Sequence, residues 1–173
     1  MRHLSCGTSS ILDLLAAMAI GSGIPIVLTE FVARRELNSI QSEIDGLENK
    51  RALEIKAIAR RDQMFRELTK RGVHKGEAEA IAWILSERRD SRPLFVSRDE
   101  GAVRAARANK VAATDVMGLV VEATVSGVIS IEQARGALAV WDDRSQQQCR
   151  PADYKGFDRT FAHRKNRPPD YYG

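Results

Sequence analysis

The chain has 173 residues, 43% apolar and 29% charged, which is enough for one domain with a real core and ordinary for a soluble globular protein. Mean hydropathy is -0.32 and no apolar run approaches the ~18 residues of a membrane helix, so a membrane span is excluded. The net charge of +4 divides unevenly: residues 1–143 carry 20 basic and 20 acidic side chains, and residues 144–173 carry seven against three.

In chain order, Leu4–Cys6 is a short opening segment and an apolar helix begins at Ile11, with Thr8, Ser9 or Ser10 as its capping oxygen. Asp13 interrupts the run Ile11–Ile20, which reads against a signal-peptide core. Cys6 and Cys149 stand far apart, without metal-ligand spacing or a disulfide framework, so a cytoplasmic setting is expected. Gly21-Ser22-Gly23 breaks the helix, and the β-branched run at 24–28 is a buried strand. Thr29 then caps a helix from Glu30 to about Leu37. Ile40, Ile44 and Leu47 have helical spacing, Leu53, Ile55 and Ala57 alternate as a short edge strand, and Met64, Phe65, Leu68 and Val73 return to helical spacing. Residues 77–85 are strong helix formers, with Trp83 facing the core. A strand at 94–97, a helix at 102–107, a strand at 111–114 and a helix at 116–124 come next. Ser130, ahead of Glu132 and Gln133, caps a closing helix from Ile131 to Trp141.

Strands separated by helices imply right-handed crossovers and a mainly parallel sheet flanked by helices, an α/β class. Ligands of such sheets sit beyond the carboxyl ends of the strands, here Gly7–Ser10, Thr29–Glu30, Ser97–Glu100 and Thr114–Asp115. Acids recur at these places and at nearby helix starts: Glu30, Glu36, Glu77, Glu79, Asp99, Glu100 and Asp115. Carboxylates converging from separate strands repel unless a cation neutralises them, and hard oxygen ligands suit Mg²⁺ or Mn²⁺. Any one acid taken alone is explained as well by helix capping. Gly7-Thr8-Ser9-Ser10 can hold phosphate through amides and hydroxyls, but it lacks P-loop spacing and capping is the simpler role. His3, His74 and His163 share no ligand spacing.

The segment Gly72-Val73-His74-Lys75-Gly76-Glu77-Ala78-Glu79-Ala80-Ile81-Ala82 resembles the "GEAEAIA" helix of PIN-domain proteins, above all a small bacterial branch related to toxin nucleases. Val96-Ser97-Arg98-Asp99-Glu100 with its Ala/Arg-rich continuation, the stretch from Val111 to Ser130, and Thr8–Leu15 are similar to further parts of that branch, so the resemblance covers residues 4–141. It implies a three-layer α/β sandwich and a metal-dependent endoribonuclease, a hydrolase using Mg²⁺ or Mn²⁺. It further implies RNA as substrate, an antitoxin protein as partner if the chain is the toxin of a pair, and a homodimer. Carried over by position, Glu77 and Asp99 are catalytic and bind metal, and Glu36 matches a third ligand with a one-residue offset. Asp115 stands where the family has a glycine and is a further candidate ligand; Thr8, Ser9, Ser10 and Arg98 are the candidates for substrate contact. Two departures count against activity: Gly7 stands where the opening strand carries an Asp, and Arg98 replaces the first of two paired Asp. Two readings stay open. Asp115 or Glu100 supplies the missing oxygen, or the module binds RNA, DNA or a protein without cleaving.

Residues 144–173 hold Tyr154, Tyr171, Tyr172, Phe157 and Phe161 among their cations. The domain is expected to end at 143, with the remainder a flexible tail or an arm that stacks on nucleic acid. The basic stretch Lys50–Lys75 is either a second phosphate contact or a solvated face.

Overall fold

Alternation of strand and helix starts at Ile26 in the computed structural model, which describes residues 5–57, 62–87, 93–143 and 150–167, the side chains of residues 5–11 excepted. Leu4, His3, Gln146–Gln148, Cys149, Tyr171 and Tyr172 lie outside the described residues. The chain divides into two compact units, one containing residues 25–115, the other combining α1 (Ser5–Ser22) with the described residues between 116 and 167.

In the 25–115 unit, β1 (Ile26–Thr29) pairs in parallel with β2 (Leu53–Lys56), from Ile26↔Leu53 to Thr29↔Lys56. Between them come a π-helical turn (Val32–Glu36), a 3₁₀ turn (Asn38–Ile40) and α2 (Gln41–Asn49), which buries Ile44 completely. Next are α3 (Gln63–Lys70), whose Phe65 amide donates to the Asp62 cap at 2.9 Å, and α4 (Lys75–Ser86). A second parallel pair joins β3 (Phe95–Val96) to β4 (Ala113–Thr114), with α5 (Glu100–Ala108) as the crossover. The α/β class and the parallel pairing are as the sequence predicts, and the described strands form two small sheets. Ala78, Ile81 and Ile84 of α4 pack against Leu68, Phe95, Ala102 and Ala106, and Trp83 is half-buried beside them. The small alanines let α4 lie close to α5 and β3.

Thr29 does not cap the turn beyond it. Its Oγ1 is buried without a hydrogen-bond partner, and the Phe31 amide donates instead to Glu79 Oε2 at 3.0 Å, a carboxylate brought from α4. That choice satisfies an amide of the first turn with a full negative charge, which the turn's dipole favours.

The other unit contains α1, α6 (Val116–Val125), α7 (Ile131–Leu138), a 3₁₀ turn (Ala139–Asp142) and α8 (Phe157–Lys165). Helix α1 already runs at Ser5, so Gly7 is inside a helix and not at a strand end, and Thr8, Ser9 and Ser10 are not caps. The segment carries no proline or other stop ahead of the apolar run, and extending a formed helix backwards adds a hydrogen bond per residue without a new nucleus. Ser130 caps α7 as predicted, in a full capping box with Gln133 at 3.1 and 2.8 Å.

The expected tail is corrected over residues 150–167. Phe157, Thr160 and Phe161 are buried at the i, i+3, i+4 spacing of a helix face, and Tyr154 meets Trp141 edge-on at 5.5 Å between centroids. The Tyr154 hydroxyl donates to Asp142 Oδ1 at 3.0 Å, and burial together with that carboxylate pushes its pKa up. These rings are core and cannot stack on bases. Among the described residues no helix is long and apolar enough to cross a membrane.

Candidate carboxylate site

The first turn of α4 brings Glu77 to the ends of the strands. Ser97, just past β3, donates its Oγ proton to Glu77 Oε1 at 2.6 Å and accepts the Asp99 amide at 3.0 Å. The hydroxyl is thereby used as donor and acceptor at once, which fixes its rotation. Glu77 Oε2 is buried and has no hydrogen-bond partner. Loss of solvent raises the Glu77 pKa; the Ser97 bond opposes this, the Asp99 charge adds to it, His74 lowers it and Glu36 raises it. Carboxylates from three segments therefore act on one another electrostatically within the 25–115 unit.

Each neighbour is held by its own local chemistry. Asp99 is the N-cap of α5, where Oδ1 accepts the Gly101 amide at 2.6 Å and the Ala102 amide at 3.1 Å. Glu36 closes the π-helical turn and rests on Gly76: a Cβ built at Gly76 would lie 2.9 Å from Glu36 Oε1 and 2.6 Å from Val32 Cγ2. Only a residue without a side chain allows that approach. Two residues beyond Glu77, Glu79 turns to the Phe31 amide at the start of the same turn. One helix thus presents one carboxylate to the cluster and uses another to fasten the segment that carries Glu36.

The remaining sequence candidates fall elsewhere. Asp115 comes directly after Thr114, which pairs with Val96, so Asp115 stands in register beside Ser97, half-buried. Arg98 is exposed between Ser97 and Asp99. Glu30 and Glu100 sit in exposed i,i+4 pairs with Arg34 at 3.2 Å and Arg104 at 3.5 Å, contacts that hold helix surfaces. Thr8, Ser9 and Ser10 belong to α1 in the other unit, and their side chains lie outside those described. Among the described residues no group of three or more His, Cys, Asp or Glu is placed to hold a metal ion as the side chains stand. The donor set nonetheless fits a hard divalent cation, because Glu77 Oε2 is an unmet buried oxygen beside two further negative charges.

The strand-end rule points to the position of Ser97 but not to its bond with Glu77, and Gly76 is missed from sequence as part of the site. A glycine in the first turn of an otherwise strong helix was a readable signal; the Ser97–Glu77 contact spans 20 positions and had none.

These features define an α/β protein with acids gathered where strands end and helices begin. A family model described as a PIN domain matches residues 10–155, and the chain belongs to that family. No curated protein and no solved structure matches it significantly.

Proposed function

We propose that the chain is a PIN-type endoribonuclease in which Glu77 and Asp99, with Glu36, would hold Mg²⁺ or Mn²⁺. The observation that carries the reading is the buried, unpartnered Oε2 of Glu77 under the fields of Asp99 and Glu36. When bound, such an ion supplies an activated water and neutralises the scissile phosphate. The protein's own residues supply position: Ser97 orients the Glu77 carboxylate, the α5 amides orient Asp99, and Glu79 anchors the turn that ends in Glu36. Asp115, in register with Ser97, is a candidate source of a further oxygen from the neighbouring strand. A cytoplasmic toxin whose partner is an antitoxin protein, acting as a homodimer, is the biological setting this reading carries.

The test is cleavage of a labelled single-stranded RNA with Mn²⁺ by the wild-type chain and by Glu77→Gln, with EDTA as the blank. Cleavage that is lost in Glu77→Gln and in EDTA, and is reduced about 10–100-fold in Ser97→Ala, supports the reading. Equal cleavage by wild type and Glu77→Gln refutes it. Growth arrest on expression of the wild type but not of Glu77→Gln tests the toxin role.

A second reading has a specific observation behind it: the helix through Gly7 places no acid at residues 5–10, where the sequence is Ser-Cys-Gly-Thr-Ser-Ser. On that reading the module binds RNA, DNA or a protein without cutting. Metal-independent binding with no cleavage at any Mn²⁺ concentration identifies it. Because Gly7 is helical, Gly7→Asp would not recreate an acid at a strand end.

A further inference from the structure

Helix α8 begins two residues beyond the last one matched by the family model, so the family domain does not account for it. It is nonetheless firmly seated. Phe157, Thr160 and Phe161 are 3%, 3% and 7% exposed, Gly156 at φ 92° turns the chain into the helix, and the Arg135 guanidinium lies over the Phe157 ring at 5.5 Å. Asp158 is engaged by Arg135 at 2.7 Å and Asp153 by Arg164 at 2.6 Å.

Those two pairs use both acids of residues 150–167, a stretch with six basic residues against two acidic; the surplus of four equals the net charge of the entire chain. Lys155, Arg159, Lys165 and Arg167 remain exposed. Lys165 in the last turn is explained by the helix dipole, which favours cations there. Arg159 is not, since it sits in the first turn, where the dipole opposes it. Arg159 and His163 lie one turn apart, about 6 Å along the axis, on the side away from Phe157 and Phe161, and Arg167 follows exposed just past the Asn166 C-cap. With the aromatic rings turned inward, this face offers charge without stacking.

We propose that the outward face of α8 around Arg159, together with the exposed cations at its two ends, Lys155 before it and Lys165 and Arg167 at its close, is a contact surface for the phosphate backbone of single-stranded RNA, separate from the carboxylate site. This deepens the proposed function and rests on it for the choice of RNA. Binding there is sequence-independent and steeply salt-dependent, because each neutralised phosphate releases counterion.

The test uses the full chain carrying Glu77→Gln, in EDTA, so that cleavage plays no part. Anisotropy of a labelled single-stranded RNA is measured across a salt series for this chain, for added Arg159→Gln/Arg167→Gln, and for added Arg159→Lys/Arg167→Lys. Removing two contacts lowers the salt slope by about 1.4 and weakens binding about 25-fold at 0.1 M salt, while the lysine variant stays within about twofold. Lys155→Gln/Lys165→Gln shifts binding in the same direction, and all variants melt with the parent. Unchanged affinity and slope in the glutamine variant overturn the proposal. So does polyglutamate competing as well as RNA, which marks an acidic protein as the occupant, or tighter binding of DNA of equal length. Failure of cleavage in the earlier assay leaves this result standing, and loss of binding here leaves the carboxylate chemistry untouched.

Discussion

Replacing Gly76 by alanine tests how closely the π-helical turn approaches α4. In an open helix the exchange would stabilise by up to about 1 kcal/mol, since glycine loses more backbone freedom on folding. Here the added Cβ would lie 2.6 Å from Val32 Cγ2, more than 1 Å inside ordinary carbon contact, and 2.9 Å from Glu36 Oε1. The Glu36 carboxylate, at the end of a flexible exposed side chain, can swing away. Val32 cannot, because its branched side chain has one favoured rotamer in a helix. Overpacking of this kind costs about 1–3 kcal/mol, so the expected net effect is a loss of about 0.5–2 kcal/mol. Urea unfolding measures it as a lower midpoint with unchanged slope. The clash also predicts coupling: in a Val32→Ala background the same exchange should cost about 1 kcal/mol less. A stabilised Gly76→Ala chain, or strict additivity in the double variant, would refute the close approach.

Glu77→Gln should raise the melting temperature in EDTA at neutral pH, because it removes a charge that burial disfavours. The folded pKa lies above the unfolded one, so the destabilising charge is fully present above the folded value and disappears as pH falls below the unfolded value. The gap between variant and wild type should close in the same direction. The same variant should lose the Mn²⁺-dependent stabilisation expected of the wild type, about 2.7 kcal/mol at one hundred times the dissociation constant, read as a rise in melting temperature. Asp153 has the opposite sign: Arg164 holds its pKa down, so its contribution is present above the unfolded value near ~4 and lost as pH falls through the folded one. Asp153→Asn should flatten the acid limb of the stability profile while changing neutral stability by less than about 1 kcal/mol, and an unchanged limb would sink the assignment. Ser130→Ala should cost about 1 kcal/mol by equilibrium unfolding, since it removes the hydroxyl that accepts the Gln133 amide and leaves only the bond from the residue 130 amide to Gln133 Oε1.

Much of the architecture was legible because it is written locally. Ser130 precedes the helix it caps, and the alternation at Leu53–Lys56 marks a strand whatever its partner. Errors arose where distant residues decide. Thr29 has the residue type and position of a cap, yet a carboxylate 48 positions beyond Phe31 takes the amide. The α8 segment had its amphipathic spacing in plain sight at Phe157, Thr160, Phe161 and Arg164, but the net charge of the C-terminal stretch outweighed it. At the site, Glu77 and Asp99 could be nominated from motif and topology. The hydroxyl of Ser97 acts through space on Glu77 and no spacing rule reveals that bond, whereas Gly76 stands out as a glycine in a helix start without showing that it makes room for Val32 and Glu36.

Glu77 and Glu79 share a helix and face different tasks, which makes α4 intolerant of any change in phase. Inserting or deleting one residue between Gly76 and Glu79 would rotate the remainder of the helix by about 100° and shift it by about 1.5 Å. Glu77 and the Glu79 latch on the Phe31 amide would then be out of step, whichever way the helix settled. Length variation among such proteins should accordingly collect in connections such as the one joining α3 to α4, and spare these four positions.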